Sequence, residues 1–377
     1  METALRPAEI LRNHTIPAYL TAGRRWQGIP SLEKTAGGRL FVCWYSGGVT
    51  EEPGNVVILE KSDDDGKSFT DGLILVRHED PAVRCFDPAV WIDPLGRLWL
   101  FWTQSKDTFD GRAGVWTARC DDPDGEELLF TAPRRIANGL MLNKPTVLKN
   151  GDWLLPVALW TSGFMKPSEE HPELREEALA NLYRSCDRGE TFTRAGGVDV
   201  PRRGFDEHMV VELRDGRLWV LVRTKDGIGQ AFSSDGGKTY EGIGFSGHTG
   251  PNSRFFIRRL RSGRILLVNH VNPTYLTDPK DWNVRNNLMA MLSEDDGKTW
   301  IGGLMLDPRV GVSYPDGKED EEGRIYIAYD YDRMGAREIL MAVFTEEDVL
   351  AGRPVSPCAR LQTVVNRAAG EKPEGRN

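Results

Sequence analysis

The chain repeats itself six times, and that repetition limits the possible folds more than any other feature. Each copy has a short apolar run, a tight glycine turn, and a second run rich in aromatic and branched residues. The copies are IPSLEKTAGGRLFVCWYS, DPAVWIDPLGRLWLFWTQ, KPTVLKNGDWLLPVALW, HMVVELRDGRLWVLVRT, RFFIRRLRSGRILLVNH and YPDGKEDEEGRIYIAYDY. Their turn glycines, Gly38, Gly96, Gly151, Gly216, Gly263 and Gly323, recur every 47 to 65 residues. Each copy reads as a β-hairpin, because glycine supplies the positive φ of the turn and the flanking residues suit pleated strands.

A second element follows most hairpins: Ser-x-Asp-x-Gly-x-Ser/Thr-aromatic. It occurs as SDDDGKSF (62–69), SCDRGETF (185–192), SSDGGKTY (233–240) and SEDDGKTW (293–300), and RCDDPDGEELLF near Cys120 reads as a decayed copy. Its Asp and hydroxyl side chains can satisfy nearby backbone groups, which makes it a self-contained turn between the third and fourth strands of a unit.

Six units of four antiparallel strands define an all-β six-bladed propeller, a single domain over residues 1–367. Radial closure removes the need for helices over the sheet edges. Helical character is confined to AEILRN near the start, residues 169–185 (an insertion in the third blade) and residues 345–352. The tail from 368 to 377 is expected to be disordered.

The composition narrows the function. The net charge is −8 and there is no basic block, which argues against a nucleic-acid partner. No run of 18 apolar residues exists to span a membrane. The first residues lack the basic-then-apolar pattern of a secretion signal, so the expected location is cytoplasmic, with export open if a signal has been removed. The five cysteines, Cys43, Cys85, Cys120, Cys186 and Cys358, form no CxxC pair and read as buried free thiols. His14, His78, His171, His248 and His270 form no metal-spaced cluster, so neither a metal nor another cofactor is expected. Oligomeric state is left open.

The Asp-bearing turns, the six-fold repeat and several blade-specific segments resemble the sialidase (neuraminidase) superfamily over roughly residues 25–345. That resemblance implies an axial site with a Tyr nucleophile, a Glu that activates it, an acidic proton donor, and three Arg that clamp a substrate carboxylate. DEHMVVELRDGRLWVLVRT is similar to the Glu-bearing motif and implies Glu207 as the activating carboxylate and Arg223 as a clamp residue. VRNNLMAMLSEDDGKTW implies Arg285 as a further clamp residue, and VSYPDG implies Tyr314 as the nucleophile.

Two positions depart from the pattern. The first clamp Arg should precede Ile-Pro in the first blade, where WQGIPSL has Gly28; Arg24 and Arg25 lie a few residues upstream. The acid/base Asp is replaced by Glu51 or Glu52 in TEEPGNVVILEKS, with Glu51 the better count, and a Glu can make the same proton transfer.

The chemistry of these residue types agrees. A phenol with a pKa of about 10 is a poor nucleophile at neutral pH unless a carboxylate takes its proton. A neutral nucleophile also avoids repulsion at an anomeric centre that bears a carboxylate, and Tyr is a recognised exception to the two-carboxylate glycosidase pattern. Other polar residues sit at equivalent blade positions and are expected to ring the pocket as substrate contacts: Arg84, Asp87, Asn143, Lys144, His208 and Arg254, with Asp206 and Asn252 beside them.

The leading expectation is an exo-acting, retaining glycoside hydrolase that removes a terminal acidic sugar from a glycan. One alternative is a polysaccharide lyase on uronate-containing chains, with His208 and Tyr314 as base and acid. The other is a non-catalytic glycan-binding propeller. Fold alone does not choose among them.

Overall fold

The computed structural model describes residues 3–110, 112–160, 171–271 and 284–371. Six sheets follow one another in chain order around an axis. Blade one carries β1 (Glu9–Arg12) on its outer edge and contains β2 (Gln27–Lys34), β3 (Leu40–Ser46), β4 (Val56–Ser62) and β5 (Ile74–Arg77). Blade two contains β6 (Val83–Ile92), β7 (Leu98–Lys106), β8 (Gly114–Cys120) and β9 (Arg134–Asn138). Blade three contains β10 (Thr146–Val147), β11 (Trp153–Ala158), β12 (Ala180–Ser185) and β13 (Thr193–Val198). Blade four contains β14 (Arg203–Glu212), β15 (Leu218–Thr224), β16 (Gly227–Ser233) and β17 (Glu241–Phe245). Blade five contains β18 (Phe256–Arg259), β19 (Ile265–His270), β20 (Leu288–Ser293) and β21 (Ile301–Asp307). Blade six contains β22 (Val312–Glu319), β23 (Ile325–Tyr331), β24 (Glu338–Phe344) and β25 (Arg360–Arg367).

Every neighbouring pair of strands within a blade is antiparallel, and the six turn glycines all take positive φ, as the repeat predicts. Inner strands such as β3 (LFVCWYS) are buried along their whole length, whereas outer strands such as β17 (EGIGF) face solvent. That gradient explains why the second run of each repeat is almost continuously apolar.

The Asp-bearing turns repeat one hydrogen-bond pattern. Ser62 Oγ donates to Asp64 at 2.7 Å, Gly66 N–H donates to Ser62 Oγ at 2.8 Å, and Ser68 Oγ donates to Asp64 at 2.6 Å. The same bonds recur around Asp187, Asp235 and Asp295. Each turn also seats on the preceding blade: a Cβ on Gly297 of blade five would fall 2.3 Å from the Trp219 ring of blade four. A Cβ on Gly66 of blade one would likewise meet Met341 of blade six, so the packing continues across the ring's closure.

No strand is exchanged between blades one and six, because each is built from its own end of the chain. The termini are tied together instead. Ala369 N–H donates to Thr21 O at 2.9 Å and Gly370 N–H to Arg24 O at 2.8 Å. Arg24 is fully buried, donating to Tyr19 O at 2.6 Å and Asn366 Oδ1 at 2.8 Å, so it serves this closure and does not reach the axis. Arg25 is exposed.

Several local expectations are corrected. AEILRN is a strand, β1, paired with β5; a six-residue helix gains too little to offset its nucleation, and the β5 edge offers a ladder. Within 169–185 only Pro172–Glu177 coils, as a 3₁₀ turn, and Ala180–Ser185 is β12; residues 169 and 170 lie outside the described residues. The tail expected to be disordered is held at Ala368, Ala369 and Gly370 by backbone hydrogen bonds, and residues 372–377 lie outside the described residues. Helix α1 (Glu346–Ala351) matches expectation and starts with a reciprocal Thr345–Asp348 capping box. Cys43, Cys85 and Cys120 are buried as expected, whereas Cys186 is exposed and Cys358 half-buried.

Candidate active site

Four inner strands break register at the same level of the axis. In β2, β6, β14 and β22, two residues stand opposite one residue of the next strand: Ile29-Pro30, Asp87-Pro88, Glu207-His208 and Tyr314-Pro315. These are β-bulges, and in each the first residue has left-handed φ: +60° at Ile29, +46° at Asp87, +37° at Glu207 and +57° at Tyr314. Proline fits the second position because it has no N–H to leave unpaired there. The cost of holding non-glycine residues at positive φ is met by the surrounding sheet, a pattern that concentrates at functional sites. The bulges re-aim one side chain per blade, and three of those side chains are Asp87, Glu207 and Tyr314.

Tyr314 and Glu207 meet although they lie 107 residues apart in the chain. Tyr314 Oη donates to Glu207 Oε1 at 3.4 Å, Arg223 Nη1 donates to Tyr314 Oη at 3.2 Å, and Arg223 Nη1 lies 2.6 Å from Glu207 Oε1. Tyr314 and Glu207 are 6% and 7% exposed, and Glu207 Oε2 is buried with no partner among the described residues. Burial, together with the Glu207 charge, raises the Tyr314 pKa above its ordinary value, against the opposing pull of Arg223, Arg285 and Arg333. The phenol is therefore protonated at neutral pH.

Asn252 fixes two of the guanidiniums. Its Oδ1 accepts from Arg223 Nε at 2.7 Å, and its backbone carbonyl accepts from Arg223 Nη2 at 2.7 Å and from Arg285 Nη2 at 3.1 Å. Arg285 lies 5.0 Å from the centre of the Tyr314 ring, so it belongs to the site. Arg333, unforeseen from the sequence, sits 5.3 Å from the same ring and donates from Nη1 to Glu51 at 2.6 Å.

The two acids differ in state. Glu51 stands at the rim with its side chain 43% exposed. Partial desolvation works to raise its pKa, but Arg333 and Arg84 outweigh this and hold the carboxyl below the usual range. Asp87 is buried, and burial, reinforced by the charges of Glu51 and Glu207, pushes it up to about 8. One carboxyl is held ionised and the other carries a proton at neutral pH.

The remaining expected contacts are placed differently. Arg84 stacks 4.0 Å from the Phe86 ring and donates to Thr108 O at 2.7 Å, close enough to act on both acids. Arg254 forms the floor, donating to Pro30 O at 2.7 Å, Tyr314 O at 2.8 Å and Leu142 O at 3.1 Å. Asn143 holds the blade-four bulge by donating to Glu207 O at 2.7 Å and His208 O at 3.1 Å. Lys144 lies deeper on the axis, between Glu33 at 3.2 Å and Asp316 at 3.3 Å, and donates to Leu32 O. His208 bonds Asn181 O at 2.7 Å, and burial lowers its pKa to about 4. Arg254, Asn143, Lys144 and His208, expected in the ring of substrate contacts, thus bond the framework. Each was placed by its position before a strand, and a buried donor there is claimed first by the neighbouring blade's carbonyls. For the lyase reading, His208 is 1% exposed and its Nε2 is engaged by Asn181 O, which leaves little of the imidazole open to a substrate.

Among the described residues no cluster of His, Cys, Asp and Glu could hold a metal ion, and no helix is long and apolar enough to cross a membrane. The fold and the axial residues define a sialidase-like six-bladed propeller with a Tyr, Glu and Arg cluster at its centre. The chain belongs to the BNR repeat-like domain family, whose model matches residues 38–327. Solved structures share the fold. A Hadza microbial sialidase is 17% identical, with a TM-score of 0.65 over 87% of this chain and 68% of that one. The intramolecular trans-sialidase from Ruminococcus gnavus, solved with oseltamivir carboxylate, is 14% identical, with a TM-score of 0.63 over 92% and 99%. A Penicillium chrysogenum alpha-L-arabinanase solved with arabinobiose is 14% identical, with a TM-score of 0.56 over 91% and 100%. No curated protein matches the chain.

Proposed function

We propose that the protein is a retaining exo-glycoside hydrolase that removes a terminal acidic sugar through a Tyr314 nucleophile. The observation that carries this reading is the closed contact of Tyr314 Oη, Glu207 Oε1 and Arg223 Nη1. Tyr314 Oη attacks the anomeric carbon while its proton passes to Glu207. The bond to the leaving-group oxygen breaks, and that oxygen takes the proton held by Asp87. Arg223 steadies the negative charge that develops on the phenol oxygen. In the second step water attacks the anomeric carbon of the aryl glycoside and gives a proton to Asp87. The Tyr314 oxygen leaves and recovers its proton from Glu207. Two displacements return the sugar with its original configuration.

Asp87 suits the acid role because a general acid must arrive protonated, and Glu51 is held ionised by Arg333. The neighbours named as sialidases act as support for a glycan substrate. The test is a panel of aryl glycosides of sialic acid, related ulosonic acids, glucuronate and rhamnose, assayed with wild type and Tyr314→Phe in parallel. The reading expects turnover of an acidic member by wild type alone. Turnover retained by Tyr314→Phe, or none across the panel, would overturn it.

A further inference from the structure

Gly28 has no side chain where blade one faces the site, and the space is filled from the other end of the chain. A Cβ on Gly28 would lie 2.3 Å from Arg333 Cδ, 3.0 Å from Arg333 Cγ and 3.1 Å from Asp330 Oδ2. The φ of Gly28 is not positive, so its backbone does not require glycine; the room it leaves for the stem of Arg333 does. Arg333 follows β23 in blade six and crosses to blade one, where its guanidinium lies 5.9 Å from the Trp26 ring and bonds Glu51 at 2.6 Å. Asp330, 3.8 Å from Arg333 Nε, also accepts from Ile29 N–H at 2.8 Å, which fixes the blade-one bulge against the same side chain. Nη2 of Arg333 and Nη1 of Arg285 have no hydrogen-bond partner among the described residues, and both guanidiniums face Tyr314.

Building on the glycosidase reading of this site, we propose that Arg333 is its anion-binding residue. With Arg285, it takes the carboxylate of an acidic sugar and supplies from blade six the guanidinium that Gly28 withholds from blade one. Glu51 orients Arg333 in the free protein, and a planar fork is well matched to a second carboxylate on its open edge. Discrimination between acidic and neutral sugars therefore resides in a residue that lies next to the nucleophile only because the ring closes.

The test is equilibrium binding by calorimetry, which reads out whether or not the protein turns substrate over. The probes are free N-acetylneuraminic acid and glucuronic acid, each against its methyl ester. Wild type is expected to bind at least one acid at least tenfold more tightly than its ester. Arg333→Gln is expected to lose that preference, its affinity for the acid falling to the level of its affinity for the ester. Arg333→Lys, which keeps the charge but not the fork, should retain part of the preference. The double variant Gly28→Arg with Arg333→Gly moves the guanidinium back to blade one and should restore it. Equal affinity of wild type for acid and ester, including none for either, would overturn the proposal, as would an undiminished preference in Arg333→Gln. The glycosidase reading fails separately, by loss of all turnover in the aryl glycoside panel.

Discussion

Tyr314 Oη and Glu207 Oε1 stand 3.4 Å apart with Arg223 Nη1 in contact with both, so the phenol and the carboxylate proposed as nucleophile and base share one cation. Replacing Glu207 with Gln removes the proton acceptor and also the negative charge that raises the phenol's pKa. The rate at neutral pH should fall about 10²–10⁴-fold, the usual range for a general base. The loss should shrink as pH rises, because the phenol then ionises unaided between Arg223 and Arg285. A pH–rate profile of Glu207→Gln checks this; a deficit constant across pH would contradict a base role. Tyr314→Phe with Glu207→Gln should be no slower than Tyr314→Phe alone, since the two act as one unit.

Asp87 makes a prediction about acid chemistry. With its carboxyl at about 8, kcat/KM should fall as pH rises through that value, because the leaving group's proton is gone. Asp87→Asn should depress turnover most for aryl glycosides with basic leaving groups and least for nitrophenol-type ones. If both classes lose activity equally, Asp87 is not the proton donor.

The same residue sets a stability trend. The folded protein keeps the Asp87 proton up to about 8, whereas the unfolded chain releases it near the ordinary carboxyl value of 3.8. Between those values the folded state binds more protons, so stability contributed by this group is full in acid and is lost as pH rises. Asp206, raised to about 7 mainly by burial, acts in the same direction, and His208, lowered to about 4, acts oppositely. The clean measurement is therefore a difference: the unfolding midpoint of Asp87→Asn should decline less than that of wild type between pH 5 and pH 8.

Asn252 holds Arg223 through its Oδ1 and both Arg223 and Arg285 through its backbone carbonyl. Asn252→Ala leaves Arg223 Nε buried and unpartnered, a loss of about 1–3 kcal/mol for a buried donor. Turnover should fall about 10–100-fold by the usual conversion of 1.4 kcal/mol per decade. Asn252→Asp, which keeps the acceptor, should recover most of it. A wild-type rate in Asn252→Ala would show that Arg223 does not need this hold.

The six-fold repeat was legible because hairpin turns and apolar strands are local patterns. Tyr314, Glu207, Arg223 and Arg285 converge as their motifs suggest, although nothing local says that they meet. One physical cue did lie in the repeats: Ile29-Pro30, Asp87-Pro88 and Tyr314-Pro315 put proline within inner strands, where only a bulge tolerates it. Arg333 had no such cue. It lies just beyond the sixth copy, and its role depends on the empty volume at Gly28, 305 positions earlier in the sequence. The framework bonds of Arg254, Asn143 and Lys144 were illegible for a related reason: which carbonyls claim a buried donor is decided by the neighbouring blade.

The Asp-bearing turns should act on stability and leave the site's chemistry alone. Gly297 combines φ of +86° with a Cβ position 2.3 Å from the Trp219 ring, so Gly297→Ala adds backbone strain and a steric clash between blades four and five. Overpacking of this kind costs about 1–3 kcal/mol, and the unfavourable φ adds to it. The clash lies at the outer turns, whereas the Tyr314, Glu207 and Arg223 contacts are set by bulges on the inner strands. Chemical denaturation should therefore show a lowered midpoint for Gly297→Ala, while kcat on the panel's best substrate stays within about twofold of wild type at a temperature where both are folded. A large loss of kcat with an unchanged midpoint would mean that the blade interface transmits to the axis and that turn and site are not separate.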